Sequence, residues 1–192
     1  MTTTNHTPPG LYTYMPSPIG RLLLCGDEGR LTGLYTPPAS ENEDLVRGRR
    51  LSDAAFASVH KQLDAYFAGE RVSFEVPLSF DGAPAFYAGV WQQLLEIPFG
   101  TTVTYRDLAT RLGRPTAARA VGMANGRNPI SIIVPCHRVI GSGGDLTGYA
   151  GGLERKRYLL HHEAEVLGRS PDEPRPPRQH VLEGAGPGHD LE

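Results

Sequence analysis

The chain has 192 residues, of which 39% are hydrophobic and 21% are charged, the composition of a globular protein with one large domain or two small ones. Its apolar runs are far shorter than the roughly 18 residues that a membrane span needs, and residues 1–10 lack the basic and apolar regions of a signal peptide. Because Cys25 and Cys136 are the only cysteines, a disulfide framework is excluded, and the sequence predicts a cytoplasmic protein without a membrane anchor.

The net charge of −2 hides an asymmetry between the two halves of the chain. Residues 1–99 carry 7 Lys and Arg against 11 Asp and Glu, whereas residues 100–167 carry 9 against 5. A local excess of arginine attracts phosphates and favours a nucleic-acid surface, although charged helix faces are more often simply solvated. The arginines concentrated between residues 105 and 138 are Arg106, Arg111, Arg114, Arg119, Arg127 and Arg138.

Residues 11–80 predict a small domain of strands and one helix, preceded by a disordered segment at 1–10. Apolar runs alternate with Gly, Asp and Pro turn signals at hairpin spacing, which predicts an antiparallel sheet. No catalytic chemistry is recognisable here, and Cys25 is expected to pack as a small hydrophobe. The expected elements are strands Leu11–Met15, Ile19–Cys25, Leu31–Tyr35 and Val72–Val76, and a helix from an N-cap at Ser52 to about Ala68.

Residues 84–167 predict a second, mostly helical domain, followed by a disordered tail at 168–192. Pro84 suits the first turn of a core helix that carries Trp91. Thr104 followed by Asp107 is a variant of the capping box and predicts the start of the next helix. A Gly-containing turn then leads to a helix from about Thr116 to Asn125, as in a helix-turn-helix unit, and a last helix is expected from Leu153 to about Glu165.

The second helix of this unit carries small residues around one long side chain, Arg119. Small residues are typical of close helix packing, but they also suit close contact with a DNA minor groove, where Arg119 could enter the base stack. A major-groove reader would need several long polar side chains instead.

Cys136 lies within Ile132–Ile140, an apolar run that predicts a buried strand or the end of one. Burial alone makes a cysteine inert, but His137 and Arg138 next to it supply a route to the thiolate. A core cysteine beside an unrelated histidine is the simpler interpretation of such a pair. The glycine-rich residues 141–152 lack the Lys-Ser/Thr of a P-loop and are expected to bring backbone amides and Tyr149 close to a flat ligand.

The segment Pro135-Cys136-His137-Arg138-Val139 resembles the active-site signature of the O6-alkylguanine-DNA alkyltransferases, also called methylated-DNA–protein-cysteine methyltransferases. The similarity covers roughly residues 84–165 in the right order, whereas the first half matches the family only loosely. The other matching motifs are Ala118-Arg119-Ala120-Val121-Gly122, Asn128-Pro129, Gly148-Tyr149 and Gly151-Gly152.

This resemblance implies an α+β protein in which a small antiparallel-sheet and helix domain of the ribonuclease H-like kind precedes a mostly helical, winged-helix-like DNA-binding domain. Family members flip O6-alkylguanine out of duplex DNA and transfer the alkyl group irreversibly to their own cysteine, so each molecule acts once. The implied partner is double-stranded DNA bound through the minor groove, with O4-alkylthymine as a second lesion. The protein is expected to be a monomer that can cluster on DNA, without metal or organic cofactor.

The resemblance also assigns roles to single residues. Cys136 would be the nucleophile, and His137 would take its proton through a water while Glu163 orients the imidazole, the logic of an activated nucleophile. Asn128 would brace the active-site turn. Tyr105 would help to rotate the 3′ phosphate and would stabilise or protonate the departing guanine oxygen.

Arg119 would fill the gap that the flipped base leaves. The remaining DNA-binding residues would be Thr104, Arg106, Arg114, Ala117, Ala118, Ala120, Gly122 and Ser142. The guanine pocket would be lined by Val139, Tyr149, Ala150 and Ser131. Ala150 stands where many members have Ser, and Ser131 where some have Pro, while the ligands of the zinc site found in some relatives are absent from the sequence.

Three other functions fit parts of the pattern. A non-catalytic damage sensor of the alkyltransferase-like kind would bind alkylguanine but lack the cysteine. A cysteine hydrolase could use Cys136, His137 and Glu163, but it would leave the small-residue helix unexplained and would turn over repeatedly. A winged-helix transcription regulator fits poorly with the acidic first half and the lack of base-reading side chains.

Overall fold

The computed structural model describes residues 10–27 and 29–170, so the disorder expected for 1–9 and 171–192 lies outside the described residues. The strands are β1 (Leu11–Met15), β2 (Leu22–Gly26), β3 (Leu31–Tyr35), β4 (Arg50–Leu51), β5 (Val103–Thr104) and β6 (Val139–Ile140). The helices are α1 (Ala57–Phe67), α2 (Ala85–Leu95), α3 (Tyr105–Arg111), α4 (Ala118–Gly126) and α5 (Leu153–Val166). The main sheet lies in the first half of the chain and most of the helices lie in the second, in agreement with the predicted α+β fold class.

The first four strands form one sheet in the order β3-β2-β1-β4. β1, β2 and β3 pair antiparallel, as predicted, while the two residues of β4 add a parallel edge beside Leu11 and Tyr12. β2 begins three residues later than predicted because Ser17–Gly20 is a tight turn in which Gly20 has a φ of 105°.

Two predictions in this half were wrong. Ser52 does not cap the helix, because its amide donates to the Tyr12 carbonyl and continues the sheet edge; a 3₁₀ turn at Ala54–Phe56 then precedes α1. Residues 72–76 form no strand, because the Gln62 side chain accepts from the Glu75 amide at 2.8 Å and donates to its carbonyl at 3.1 Å. These side-chain bonds replace a strand partner.

The C-terminal half is built on α2, α3 and α4. The capping box at Thr104 and Asp107 is present and begins α3. α4 begins at Ala118, two residues later than predicted, and the Trp91 indole N–H of α2 donates to the Ala124 carbonyl of α4 at 2.8 Å. α5 ends at Val166, and the Arg169 amide still donates to the Ala164 carbonyl, so the chain remains ordered past the predicted end at 167.

The two halves share one hydrophobic core and one backbone junction. At the outer edge of β3, the Leu34 amide donates to the Pro129 carbonyl at 2.8 Å, and the Ser131 amide donates to the Leu34 carbonyl at 2.9 Å. The N-terminal sheet therefore fixes the position of the segment that leads into Cys136.

Candidate active site

Cys136 lies on a strained turn that leads into the short strand β6, where its apolar neighbours predicted a buried strand or the end of one. The Ile133 amide donates to the Ser131 carbonyl, and the Cys136 amide donates to the Val134 carbonyl, each at 2.8 Å and each across a three-residue turn. The first turn holds Ile132 at a φ of 70°, which is unfavourable for a β-branched residue. Cys136–Arg138 then form one 3₁₀ turn before β6. The strand prediction holds only for Val139–Ile140, because these turns bury the rest of the apolar run without extended backbone.

Asn128 holds this turn through its carboxamide. Its Nδ2 donates to the Val134 carbonyl at 2.8 Å and to the Ile130 carbonyl at 3.3 Å, and its Oδ1 accepts from the Ile130 amide at 3.0 Å. The side chain thus supplies the hydrogen bonds that a neighbouring strand would otherwise supply.

His137 is completely buried and contacts Glu163 of α5, with 2.8 Å between Nε2 and Oε1. Burial alone would raise the pKa of Glu163, but the hydrogen bonds and charges of His137 and Arg138 outweigh it and hold that pKa well below its usual range. An ionised carboxylate can only accept, so Nε2 of His137 carries the proton. Burial lowers the pKa of His137, and its Nδ1, which has no partner among the described residues, is left as a free base.

Arg138 is the principal cation on Glu163. Its Nε and Nη2 lie 2.9–3.1 Å from the Glu163 oxygens, and its Nη1 donates to the Ile97 carbonyl at 2.6 Å. The Gly100 amide donates to Oε2 of the same carboxylate at 2.8 Å. Arg138 is therefore buried, and counting it in an exposed basic patch was wrong.

Burial and polar neighbours act on the pKa of the Cys136 thiol in opposite directions. The thiol is 4% exposed, and burial raises its pKa. The Asn128 carboxamide, the charge of Lys156 and the backbone amides of Cys136 and His137 act in the opposite direction. The site therefore keeps the sulfur protected in a dry environment while it supplies groups that stabilise a thiolate.

Lys156 belongs to this site although the sequence analysis missed it. It is fully buried, and its ammonium donates to the carbonyls of Val139 at 2.5 Å and Thr147 at 2.6 Å, which ties the glycine-rich loop to β6. Burial lowers its pKa to about 8. A signal for Lys156 existed in the sequence, because it lies at helical spacing among the apolar residues of α5. The buried residues of this helix are Lys156, Leu159, Leu160, Glu163 and Ala164, and the first and fourth of them are charged.

Three of the four residues expected to line the guanine pocket lie at or beside the same turn: Ser131, Val139 and Tyr149. Val139 is buried, and its carbonyl already accepts from Lys156. Ser131 is 8% exposed, while Ala150 lies exposed on the glycine-rich loop. The Tyr149 hydroxyl is buried, and burial raises its pKa, so the phenol stays protonated.

Tyr105 lies at the start of α3 and faces the glycine-rich loop. Its hydroxyl donates to the Thr147 carbonyl at 3.1 Å, the same carbonyl that Lys156 binds. Burial raises the pKa of Tyr105, so its hydroxyl remains a proton donor at neutral pH. Gly122 of α4 packs beneath this ring, where a β-carbon would lie 3.7 Å from two ring atoms.

The predicted DNA-binding residues have different surroundings. Arg119, Arg106, Ala120 and Ser142 are exposed, whereas Ala117, Ala118 and Gly122 are half-buried. The guanidinium of Arg114 lies 5.5 Å from the centre of the Phe86 ring. The Thr104 hydroxyl is engaged in the capping box, where it donates to Asp107 at 2.8 Å.

A groove of about 530 Å³ reaches the turn from another side, through Pro135 and Arg138. Its walls come mainly from residues 72–80 and 92–99. Neither Cys136 nor His137 lines it, so it is distinct from the expected guanine pocket. Among the described residues, no helix is long and apolar enough to cross a membrane.

Comparison with known proteins accounts for both halves of the chain. Residues 11–80 match the ribonuclease-like domain of 6-O-methylguanine DNA methyltransferase, and residues 85–165 match its DNA-binding domain. A methylated-DNA–protein-cysteine methyltransferase of Methanosarcina acetivorans is 47% identical over 79% of this chain and 97% of its own length. The corresponding protein of Mycobacterium leprae is 51% identical over 78% of this chain and 89% of its own.

Solved structures agree with this assignment. The crystal structure of Mycobacterium tuberculosis OGT in complex with DNA has a TM-score of 0.75 and 47% identity, covering 81% of this chain and 94% of that one. The O6-methylguanine-DNA methyltransferase of Pyrococcus kodakaraensis has a TM-score of 0.51 and 25% identity, covering 80% of this chain and 98% of that one. The chain therefore belongs to the 6-O-methylguanine DNA methyltransferase family.

Proposed function

We propose that this chain repairs alkylated DNA in a single turnover, by transferring the alkyl group from O6 of guanine to Sγ of Cys136. The observation that carries the proposal is the arrangement around His137. His137 directly follows Cys136 in the sequence, and its Nε2 lies 2.8 Å from Oε1 of Glu163. Its Nδ1 is buried and has no hydrogen-bond partner among the described residues. Such an imidazole can accept a proton only at Nδ1, the atom that a water between thiol and ring would reach.

In the proposed reaction the thiol proton passes through that water to His137, and Glu163 stabilises the imidazolium. The thiolate attacks the alkyl carbon, a sulfur–carbon bond forms, and the bond between that carbon and guanine O6 breaks. The electron pair goes to the guanine, whose oxygen takes a proton from Tyr105, and the proton held by the His137 imidazolium returns through solvent to the Tyr105 phenolate. The products are guanine and S-alkylcysteine, a thioether that this chemistry does not reverse, so the protein is consumed.

DNA would be engaged by the exposed face of α3 and α4 through the minor groove. The small residues of α4 allow a close approach, and Arg119 is exposed at the start of that helix, where it can replace the flipped base. The known complex of a family member with DNA supports DNA as the partner of this chain. Asn128 keeps the turn in shape, while Tyr149, Ala150, Ser131 and Val139 form the walls around the base.

The direct test is intact mass spectrometry after mixing the protein with excess duplex DNA that contains O6-methylguanine. We expect a gain of about 14 Da, one methyl group, on one cysteine per molecule and no further turnover. Tight binding without a mass change would indicate a damage sensor instead. Catalytic release of product without a mass gain would indicate a hydrolase.

A second test addresses the DNA face. Arg119→Ala is expected to slow repair of duplex DNA about tenfold or more while reaction with a free-base analogue is unchanged, because only the duplex requires the gap to be filled. Equal losses on both substrates would contradict the proposed role of Arg119. Arg157→Ala, at a half-buried position of α5, is the control loss of an arginine.

A further inference from the structure

The N-terminal domain, in which the sequence shows no chemistry, contributes a side chain to the active-site network. Tyr66 of α1 is completely buried, and its hydroxyl donates to Oε1 of Glu163 at 3.1 Å across 97 residues of sequence. His162, the neighbour of Glu163 on α5, donates from Nε2 to the Tyr66 carbonyl at 2.7 Å. Tyr66 is thus bonded to α5 through both its side chain and its backbone.

The oxygen that Tyr66 binds is the oxygen that binds His137. Oε1 of Glu163 accepts from His137 at 2.8 Å and from the Arg138 fork, whereas Oε2 accepts from the Gly100 amide and from Arg138. Each additional donor to Oε1 disperses its negative charge and weakens its attraction for the imidazole proton. The Tyr66 ring has no freedom to turn away, because it packs between the rings of Phe67, Phe74, Phe99 and His162.

We propose that Tyr66 is a positioning residue through which the N-terminal domain sets the basicity of His137: its hydroxyl shares Oε1 of Glu163 with the imidazole and so keeps the imidazole neutral and ready to accept the thiol proton. This inference rests on the proposed alkyl transfer only for its kinetic consequence. The effect on His137 itself exists in the free protein.

The charged and titratable groups around His137 and Tyr66 come from four elements. α5 contributes Glu163, Lys156 and His162; the 3₁₀ turn contributes Cys136 and Arg138; α1 contributes Tyr66; and the glycine-rich loop contributes Tyr149. Burial and the neighbouring Glu163 raise the pKa of Tyr66 well above its ordinary value, so Tyr66 remains a donor throughout the accessible pH range. Only the loss of its hydroxyl can remove this bond.

The test is Tyr66→Phe, which keeps the ring and removes the hydroxyl. The carboxylate then attracts the imidazole proton more strongly, so the pKa of His137 should rise by up to about one unit, measured by ¹⁵N NMR of the imidazole in the free protein. The acid limb of the single-turnover rate with O6-methylguanine DNA should move to higher pH by the same amount. At a pH in that limb the variant should be up to about tenfold slower, and above pH 8 it should match the wild type within about twofold.

Tyr158→Phe is the control, because it removes a phenol hydroxyl from a half-exposed ring at the same helix junction. An unchanged His137 titration in Tyr66→Phe would overturn the proposal, and so would an equal loss of rate at every pH, which indicates a purely structural role. If the wild type fails to gain an alkyl group, the proposed function is wrong, and the NMR titration alone decides the role of Tyr66.

Discussion

The two cysteines of this chain lie in regions that share burial and differ in almost everything else. Cys25 is 2% exposed on β2 and Cys136 is 4% exposed on its turn, and burial raises the pKa of both thiols. Cys25, however, is part of a strand, paired with Tyr12 on one side and with Gly33 on the other, just before a shift of register at Gly26. Its thiol makes one weak hydrogen bond among the described residues, to the Leu45 carbonyl at 3.9 Å.

The difference lies in how the backbone groups are satisfied. Around Cys25 the strands satisfy one another, so no side chain is needed for that purpose. Around Cys136 the turns leave backbone groups without strand partners, and the side chains of Asn128 and Lys156 bond to the carbonyls of Val134 and Val139. Those side chains bring charge and donors close to the sulfur. Burial is therefore common to both thiols, and the polar side chains that the irregular backbone places near Cys136 distinguish it from Cys25.

The largest expected difference between the two regions is in alkyl transfer. Cys136→Ala should abolish the mass gain with O6-methylguanine DNA, because no other described thiol has a base beside it. Cys25→Ala should retain the full rate and lose only about 1 kcal/mol of unfolding free energy, the cost of a small cavity. Intact mass and peptide mapping check both variants. A methyl group found on Cys25 would refute the assignment of the acceptor.

Glu163→Gln tests whether the charge network also stabilises the fold around Cys136. The substitution leaves Arg138 as a buried cation without its partner, so the free energy of unfolding should fall by about 3–5 kcal/mol in urea denaturation. Glu154→Gln on the same helix breaks the exposed pair with Arg157 and should cost at most about 1 kcal/mol. Similar losses in the two variants would mean that the buried network adds nothing to stability.

The same network should make stability depend on pH. Because the folded state lowers the pKa of Glu163 below its ordinary value near 4.5, the unfolded chain binds a proton first as the pH falls. The contribution of Glu163 is therefore complete above about pH 4.5 and disappears as the pH falls further toward the folded pKa. The gap in stability between wild type and Glu163→Gln should narrow over that range, and a constant gap would contradict the linkage.

Local signals in the sequence were sufficient for much of the fold. The β1 and β3 strands and the capping box at Thr104 depend on neighbouring residues, and all three were predicted at their observed positions. The strand predicted at Val72–Val76 failed because Gln62, more than ten residues away, takes over the Glu75 backbone. Tertiary contacts of this kind override local preference.

The parts of the site that sequence reasoning missed are long-range contacts. Tyr66 reaches Glu163 across 97 residues, and no periodicity of α1 distinguishes its hydroxyl from any other buried aromatic. Lys156 stands between two arginines in a run that reads as a solvated helix face, although its place on the buried stripe of α5 predicts otherwise. The positive φ of Ile132 has no signal at all, since Ile is among the residues least suited to it.

Asn128→Ala tests how much the turn before Cys136 depends on side-chain hydrogen bonds, which the strand around Cys25 does not need. It leaves the buried Ile130 amide without its partner and the Val134 carbonyl with the Cys136 amide alone, so the free energy of unfolding should fall by about 1–3 kcal/mol. Asn42→Ala removes a comparable bond, to the Asp44 amide, from an exposed 3₁₀ turn and should cost only about 0.5–1 kcal/mol. Because Asn128 also lies against the thiol, its loss should shift the rate of alkyl transfer to higher pH, whereas Asn42→Ala should leave the profile unchanged. An Asn128→Ala protein with normal stability and rate would show that the strained turn holds its shape without side-chain support, and the distinction between the two cysteines would then depend on His137 and its partners alone.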